Sequence, residues 1–238
     1  LNRQSLIVFA LILLAHTATA VAQTADDLPW AGHDSRTVRI QAKVEGIYEQ
    51  GDFERAHFLY VNELAPIGDK YAQYMAGYMY LKGQGVPQDP VKALAWYRLA
   101  AENGAAEFVA VRNQLMAQLS EEELEESDAA YVKLRQQYGD LAVVMAELRR
   151  GDSTGNVNIT GSRIKGGSRP LTIVDPRTGT VISGDEYFRR ANSRAQDQLD
   201  YVTDTLGIEP MSVDDMTDAD YDALEQMVEE YLGIVDDR

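Results

Sequence analysis

Asp69-Lys-Tyr-Ala-Gln-Tyr-Met-Ala-Gly-Tyr-Met-Tyr-Leu-Lys-Gly-Gln-Gly-Val-Pro-Gln-Asp-Pro-Val-Lys-Ala-Leu-Ala-Trp-Tyr-Arg-Leu-Ala-Ala-Glu-Asn-Gly104 has the chemistry of two helices joined by a turn. Gly83, Gly85 and Pro87 stop the first helix. Asp89 can cap the second, with Pro90 at the first helical position, where its missing N–H costs nothing. Ala93, Trp96, Tyr97 and Ala100 then recur at three- and four-residue spacing, and Gly104 closes the helix. Small residues on both helices, Ala72, Ala76 and Gly77 facing Ala93 and Ala100, permit close approach of the axes. Tyr74, Tyr80, Trp96 and Tyr97 fill the remaining volume.

The elements Ala72-Gln-Tyr74, Gly77-x-Met-Tyr80, Gly83-x-Gly85-Val-x-x-Asp89, Lys92-Ala93-x-x-Trp96-Tyr97 and Ala100-Ala-Glu-x-Gly104 closely resemble the Sel-1-like repeat, a relative of the tetratricopeptide repeat. A weaker copy precedes it. Tyr48 and Gly51 align with Tyr80 and Gly83 at an offset of 32, and Asp52, Ala56 and Tyr60 align with Asp89, Ala93 and Tyr97 at an offset of 37. A third copy starts at Ala105, with Ala106, Phe108 and Ala110 matching Ala72, Tyr74 and Ala76, and then degenerates. Terminal repeats diverge because one face meets water instead of a neighbour. The resemblance covers about residues 38–119 and implies a mainly α fold: a short α-solenoid of helical hairpins. Ser120-Glu-Glu-Glu123 fits a capping box. The helix after it, with Leu124, Tyr131, Leu134 and Tyr138, breaks at Gly139, and a shorter helix over Leu141–Leu148 makes the pair read as a lid on the stack.

The chain has 238 residues, no cysteine and a net charge of −16. Disulfide scaffolds, thiolate metal sites and cysteine nucleophiles are excluded. So large a negative charge opposes nucleic-acid binding, which rests on Lys and Arg neutralising phosphates. Residues 1–22 have one basic residue, Arg3, an apolar run over Leu6–Ala15 and small residues Ala20 and Ala22. That is the pattern of a cleaved export signal, too short for a membrane span. Residues 23–37 read as a flexible mature N-terminus, residues 38–150 as the repeat domain with its capping helices, and residues 151–169 as a Gly/Ser-rich linker containing a short strand. The mature product is expected in the periplasm or secreted, without stable membrane insertion.

Residues 170–238 form a different module, a small β-hairpin plus helices. Two β-branched runs flank Asp175-Pro-Arg-Thr-Gly179, a turn signal. Phe188, Ala191, Ala195, Leu199, Val202 and Leu206 set a packing stripe on the following helix. In the acidic C-terminus, Asp218, Asp220, Asp222 and Glu229 are similar to a calcium-binding loop, but Ala223 stands where that loop turns on glycine. Thr217 as a cap and the stripe Tyr221, Leu224, Val228, Tyr231 and Leu232 favour an acidic amphipathic helix.

No nucleophile, phosphate-loop or metal motif is present, and His33 and His57 share no pattern, so no catalysis, cofactor or metal is expected. A third reading is an enzyme using paired carboxylates. The resemblance implies a non-catalytic scaffold or adaptor that binds a protein or peptide in the bacterial cell envelope, with a structural or oligomeric envelope component as the alternative. Positions outside the repeat consensus are free to vary toward a ligand, which singles out Tyr71, Met75 and Tyr78. An acidic chain favours a basic partner.

Overall fold

The computed structural model describes residues 35–150, 158–159, 162–163, 172–174 and 179–234. The export signal, the residues up to 34, most of the linker and the hairpin turn 175–178 lie outside these. The described chain is mainly helical and divides into two compact units, residues 43–134 and residues 135–234, the latter taking also residues 35–42.

The first unit consists of helix α1 (Ser35–Glu49) from Lys43 onward, α2 (Phe53–Leu59), α3 (Lys70–Lys82), α4 (Pro90–Ala100), α5 (Ala106–Met116) and the greater part of α6 (Glu121–Tyr138). Its helix starts follow from local hydrogen bonding. Asp69 accepts from Ala72 N at 2.8 Å and Asp89 from Lys92 N at 2.9 Å, each satisfying an otherwise orphaned N–H. Asp52 plays the same part at α2. The expected correspondence between hairpins extends inward: Ala56 matches Ala93, Tyr60 matches Tyr97, and all four are buried.

The close approach of α3 and α4 is set at Gly77. A Cβ there would lie 2.7 Å from the Tyr97 ring and 3.0 Å from the Ala93 carbonyl, so no larger residue fits without moving that ring. Ala72, Ala76, Ala93 and Ala100 have no exposed surface, and Trp96 is 4% exposed. Tyr74 stacks on Tyr97 at 5.4 Å between centroids and meets Phe108 of α5 at 5.8 Å, carrying the aromatic core into the third helical segment. Tyr80 is only partly buried, with its ring edge-on to His57 at 5.1 Å.

The loop between α3 and α4 turns back on itself. Asp89 N donates to the Tyr80 carbonyl at 2.9 Å and Gln88 Nε2 to that of Leu81 at 2.8 Å. Gly85 has a φ of +70°, and a Cβ on it would fall 2.4 Å from the Phe53 backbone carbon. The loop therefore lies directly against the start of α2, which explains a second glycine two residues after the helix-ending Gly83.

Two features depart from the pattern of simple hairpins. After α2 the chain widens into a π-helical turn, Tyr60–Leu64, and then tightens into a 3-10 turn, Ala65–Ile67. Pro66 has no N–H to give, and Ala65 N donates five residues back to the Tyr60 carbonyl, so the helix loses its regular ladder there. Secondly, Lys70 at the start of α3 has no exposed surface. Its ammonium donates to the Leu99 carbonyl at 3.0 Å and Gln73 Oε1 at 3.2 Å, with Glu102 at 3.7 Å, tying the start of α3 to the end of α4.

Ser120 and Glu123 form the expected reciprocal cap at α6, through Ser120 N to Glu123 Oε2 at 2.8 Å and Glu123 N to Ser120 Oγ at 3.4 Å. Within the first unit, α6 is held by Tyr131 donating to Glu102 Oε1 at 2.8 Å and by an Arg98–Asp128 ion pair. The unit boundary falls inside α6, at Leu134 and Arg135, instead of at residue 150. Helix α7 (Asp140–Arg150), expected to help close the repeat stack, packs on the two helices of the second unit. Its Leu141, Val143, Val144, Met145 and Leu148 are all buried, giving it an apolar side broad enough to serve as core.

In the second unit β1 (Asn158–Ile159) pairs with β2 (Ser162–Arg163), and β3 (Thr172–Val174) pairs antiparallel with β4 (Val181–Ser183) in the register Thr172 to Ser183, Ile173 to Ile182 and Val174 to Val181. Ser183 both ends β4 and caps α8 (Gly184–Leu206), accepting from Glu186 N at 3.2 Å. The α8 stripe packs as expected through Ala191, Ala195, Leu199 and Val202. Tyr187 is buried at its start, while Phe188 is only partly so. Helix α9 (Asp218–Tyr231) is continuous, with Thr217 and Asp220 in a full capping box, so Asp218, Asp220 and Asp222 stand on a helix and not around a calcium loop. Leu224, Val228 and Leu232 are its buried face, and Arg149 of α7 pairs with Asp222 and Glu225.

Candidate partner-binding surface

Helix α3 carries a ladder of tyrosines. Tyr71, Tyr74 and Tyr78 recur at three and four residues, so their rings lie along one side at 6.3 and 6.4 Å between successive centroids. Tyr60 meets the Tyr71 ring edge-on at 6.4 Å, and the Lys82 ammonium lies 5.7 Å from the Tyr78 centroid. From α1, Tyr48 donates its hydroxyl proton to Gln84 Oε1 at 2.8 Å, fixing its ring beside the α3–α4 loop. Tyr71, Tyr78 and Tyr48 are partly exposed, whereas Tyr74 is buried beneath them.

The three candidates singled out from sequence thus separate. Tyr71 and Tyr78 stand on this partly exposed side. Met75 does not: it is 4% exposed and belongs to the core, because position 75 on α3 points with Ala72, Ala76 and Met79 into the helix stack. Methionine is flexible enough to fill such a gap, and its presence there is no signal of a contact surface.

Burial is the first cause of every ionisation shift on this side. It raises the phenols of Tyr48, Tyr71 and Tyr78, and Tyr74 reaches about 12, with the neighbouring phenols adding to the effect for all but Tyr78. These rings stay neutral at any physiological pH. Glu45 on α1 is also raised, first by burial and then by the like charges of Glu49 and Asp69. Among the described residues Glu45 has no ion-pair or hydrogen-bond partner. Spacing on α3 alone could not reveal Glu45 and Tyr48, which reach this side from another helix. Their signal was weaker: Tyr48 is the residue aligned with Tyr80 in the degenerate copy.

This surface can present neutral aromatic area and an unneutralised carboxylate. Among the described residues, no group of three or more His, Asp or Glu is placed to hold a metal, and no helix is long and apolar enough to cross a membrane.

Stacked helical hairpins with this small-residue seam and glycine loop define a helical-repeat protein. Residues 70–104 match the Sel1 repeat family, so the chain carries a Sel1 repeat over α3, the loop and α4. No curated protein and no solved structure gives a significant match to the chain.

Proposed function

We propose that the chain is a non-catalytic scaffold that holds a protein or peptide partner on the Tyr71 and Tyr78 side of its repeat unit, in the bacterial cell envelope. The observation carrying this reading is the tyrosine ladder, because it places large, neutral, partly exposed rings on a rigid stack, where little conformational entropy is lost on contact. The export pattern of residues 1–22 supports an exported protein, periplasmic or secreted, and the charge of −16 favours a basic partner. Crosslinking in the native envelope fraction identifies the partner. Y71A and Y78A should then lose it while unfolding at nearly the wild-type denaturant concentration, and retention of the partner by both refutes the reading.

A second reading, an oligomeric structural component, is favoured by Val174 and Val181, a cross-strand pair that is 61% and 67% exposed on the small hairpin. Salt separates the two. Charge-driven partner binding weakens steeply as salt rises, whereas association through apolar strands does not.

A further inference from the structure

One titratable ring lies where the first hairpin packs on the second. His57 of α2 has its imidazole at right angles to Tyr80 of α3, 5.1 Å between centroids, and its Nε2 is buried with no hydrogen-bond partner among the described residues. A neutral imidazole tolerates this, because Nε2 can be the nitrogen without a proton. The imidazolium cannot: both nitrogens then carry protons, and a charged N–H is shut into a place that offers it no acceptor. Tyr80 gives little relief, since its ring already faces the Lys92 ammonium of α4 at 5.8 Å, and Lys92 pairs with Asp89 at 2.8 Å. On α2 itself Glu54 and Arg55 are exposed, and neither partners Nε2. From α1 comes Tyr48, whose ring meets Phe53 at 5.2 Å. Glu45 of α1 works in the opposite sense, because its raised pKa makes acid favour the folded chain. For His57 burial is the cause that counts, and it opposes the charged ring.

Helix α2 is also placed to move. The glycine loop lies against it at Phe53 and Glu54, where a Cβ on Gly85 would fall 2.4 to 2.5 Å from their backbone atoms, but no hydrogen bond joins the two there. Beyond its other end, the π-helical turn Tyr60–Leu64 and the 3-10 turn Ala65–Ile67 interrupt the regular ladder, and Gly68 follows with a φ of +79°. Such an interruption lets a helix bend without breaking a run of regular bonds. We propose that His57 is an acid-sensitive latch: protonation of its imidazole frees α2 from Tyr80 and the glycine loop, and the first hairpin opens at the π-helical turn while α3 and α4 stay packed. The latch stands or falls independently of any partner on the tyrosine side.

Amide hydrogen exchange of the full chain, corrected for the intrinsic effect of pH on exchange, reads local opening residue by residue. Ala56 and Ala93 are a matched pair for it. Each has no exposed surface, and each N–H donates at 3.0 Å to the carbonyl of the aspartate that caps its helix, Asp52 or Asp89. Between about pH 7.5 and about pH 5 the opening of Ala56 should rise about tenfold, the scale of one proton taken up over one unit of pH. Its midpoint should follow the His57 ring titration, seen by NMR in the same sample, and Ala93 should stay level. In H57F, whose ring takes no proton, the rise should vanish, and in H57Q, neutral but polar, it should vanish too. The slope with pH is what decides, so a variant that is less stable at every pH remains informative. An equal rise at Ala56 and Ala93 would mean global unfolding and overturns the latch. A level response at Ala56 overturns it as well, as does an acid-induced rise that persists in either variant.

Discussion

Replacing Gly85 with alanine tests whether the glycine loop is packed on the first hairpin or simply needs a left-handed turn. Gly104 provides the control, with a φ of +78° and nothing within 4 Å of an added Cβ, so G104A carries only the penalty of the left-handed backbone, about 1–2 kcal/mol. Gly85 has nearly the same φ, but its added Cβ would lie 2.4 Å from Phe53 C and 2.5 Å from both Glu54 N and Phe53 O. These are backbone atoms that no rotamer change can remove. Relieving them means shifting the loop or the start of α2, an overpacking cost of about 1–3 kcal/mol beyond the backbone penalty. G85A should therefore lose about 2–5 kcal/mol in urea denaturation followed by circular dichroism, clearly more than G104A. Equal losses in the two variants would refute the placement of this loop against α2, and with it the packing of the first hairpin on the second.

W96A should cost about 3–5 kcal/mol, as for other large buried aromatics, and an unchanged melting temperature would sink the role given to Trp96 in the α3–α4 core. K70M keeps much of the length but removes the donor to the Leu99 carbonyl and Gln73, so a loss of about 1–3 kcal/mol is expected, and a neutral result would mean that the ammonium contributes nothing net. Burial lowers the pKa of His57 below its ordinary 6.5, so the unfolded chain takes up its proton first as pH falls. The stabilisation from the neutral ring is then full above pH 6.5 and is lost as pH drops through that value and the lower folded one. H57F should flatten this part of the stability profile, and a slope identical to that of wild type would assign it to other groups.

The hairpin was readable because its signals are local. Asp89 followed by Pro90, and the buried alanines spaced along α4, act through bonds and contacts within one or two turns. Capping at Ser120 and Thr217 was legible for the same reason. What escaped depends on distant chain. Lys70 looks like an ordinary surface residue of a first turn until α4 brings the Leu99 carbonyl above it, 29 residues later. Met75 shows the converse error: its side of α3 becomes interior only when further helices pack there. The unit boundary within α6 was invisible because the helix itself is continuous, with good formers on both sides of Leu134. In the candidate site, Tyr71 and Tyr78 could be found from helical spacing, while Glu45 and Tyr60 are joined to them only by the fold.

Ser183 belongs at once to the ladder of β4 and to the first turn of α8. Strand register and helix phase are consequently geared together with no slack between them. One residue inserted after Ser183 would rotate the helix by about 100° relative to the hairpin, turning Tyr187 and Ala191 off their seats unless the ribbon slipped as well. Length variation in this module is therefore confined to the turn or to the far end of the helix, and the junction tolerates substitution more readily than insertion.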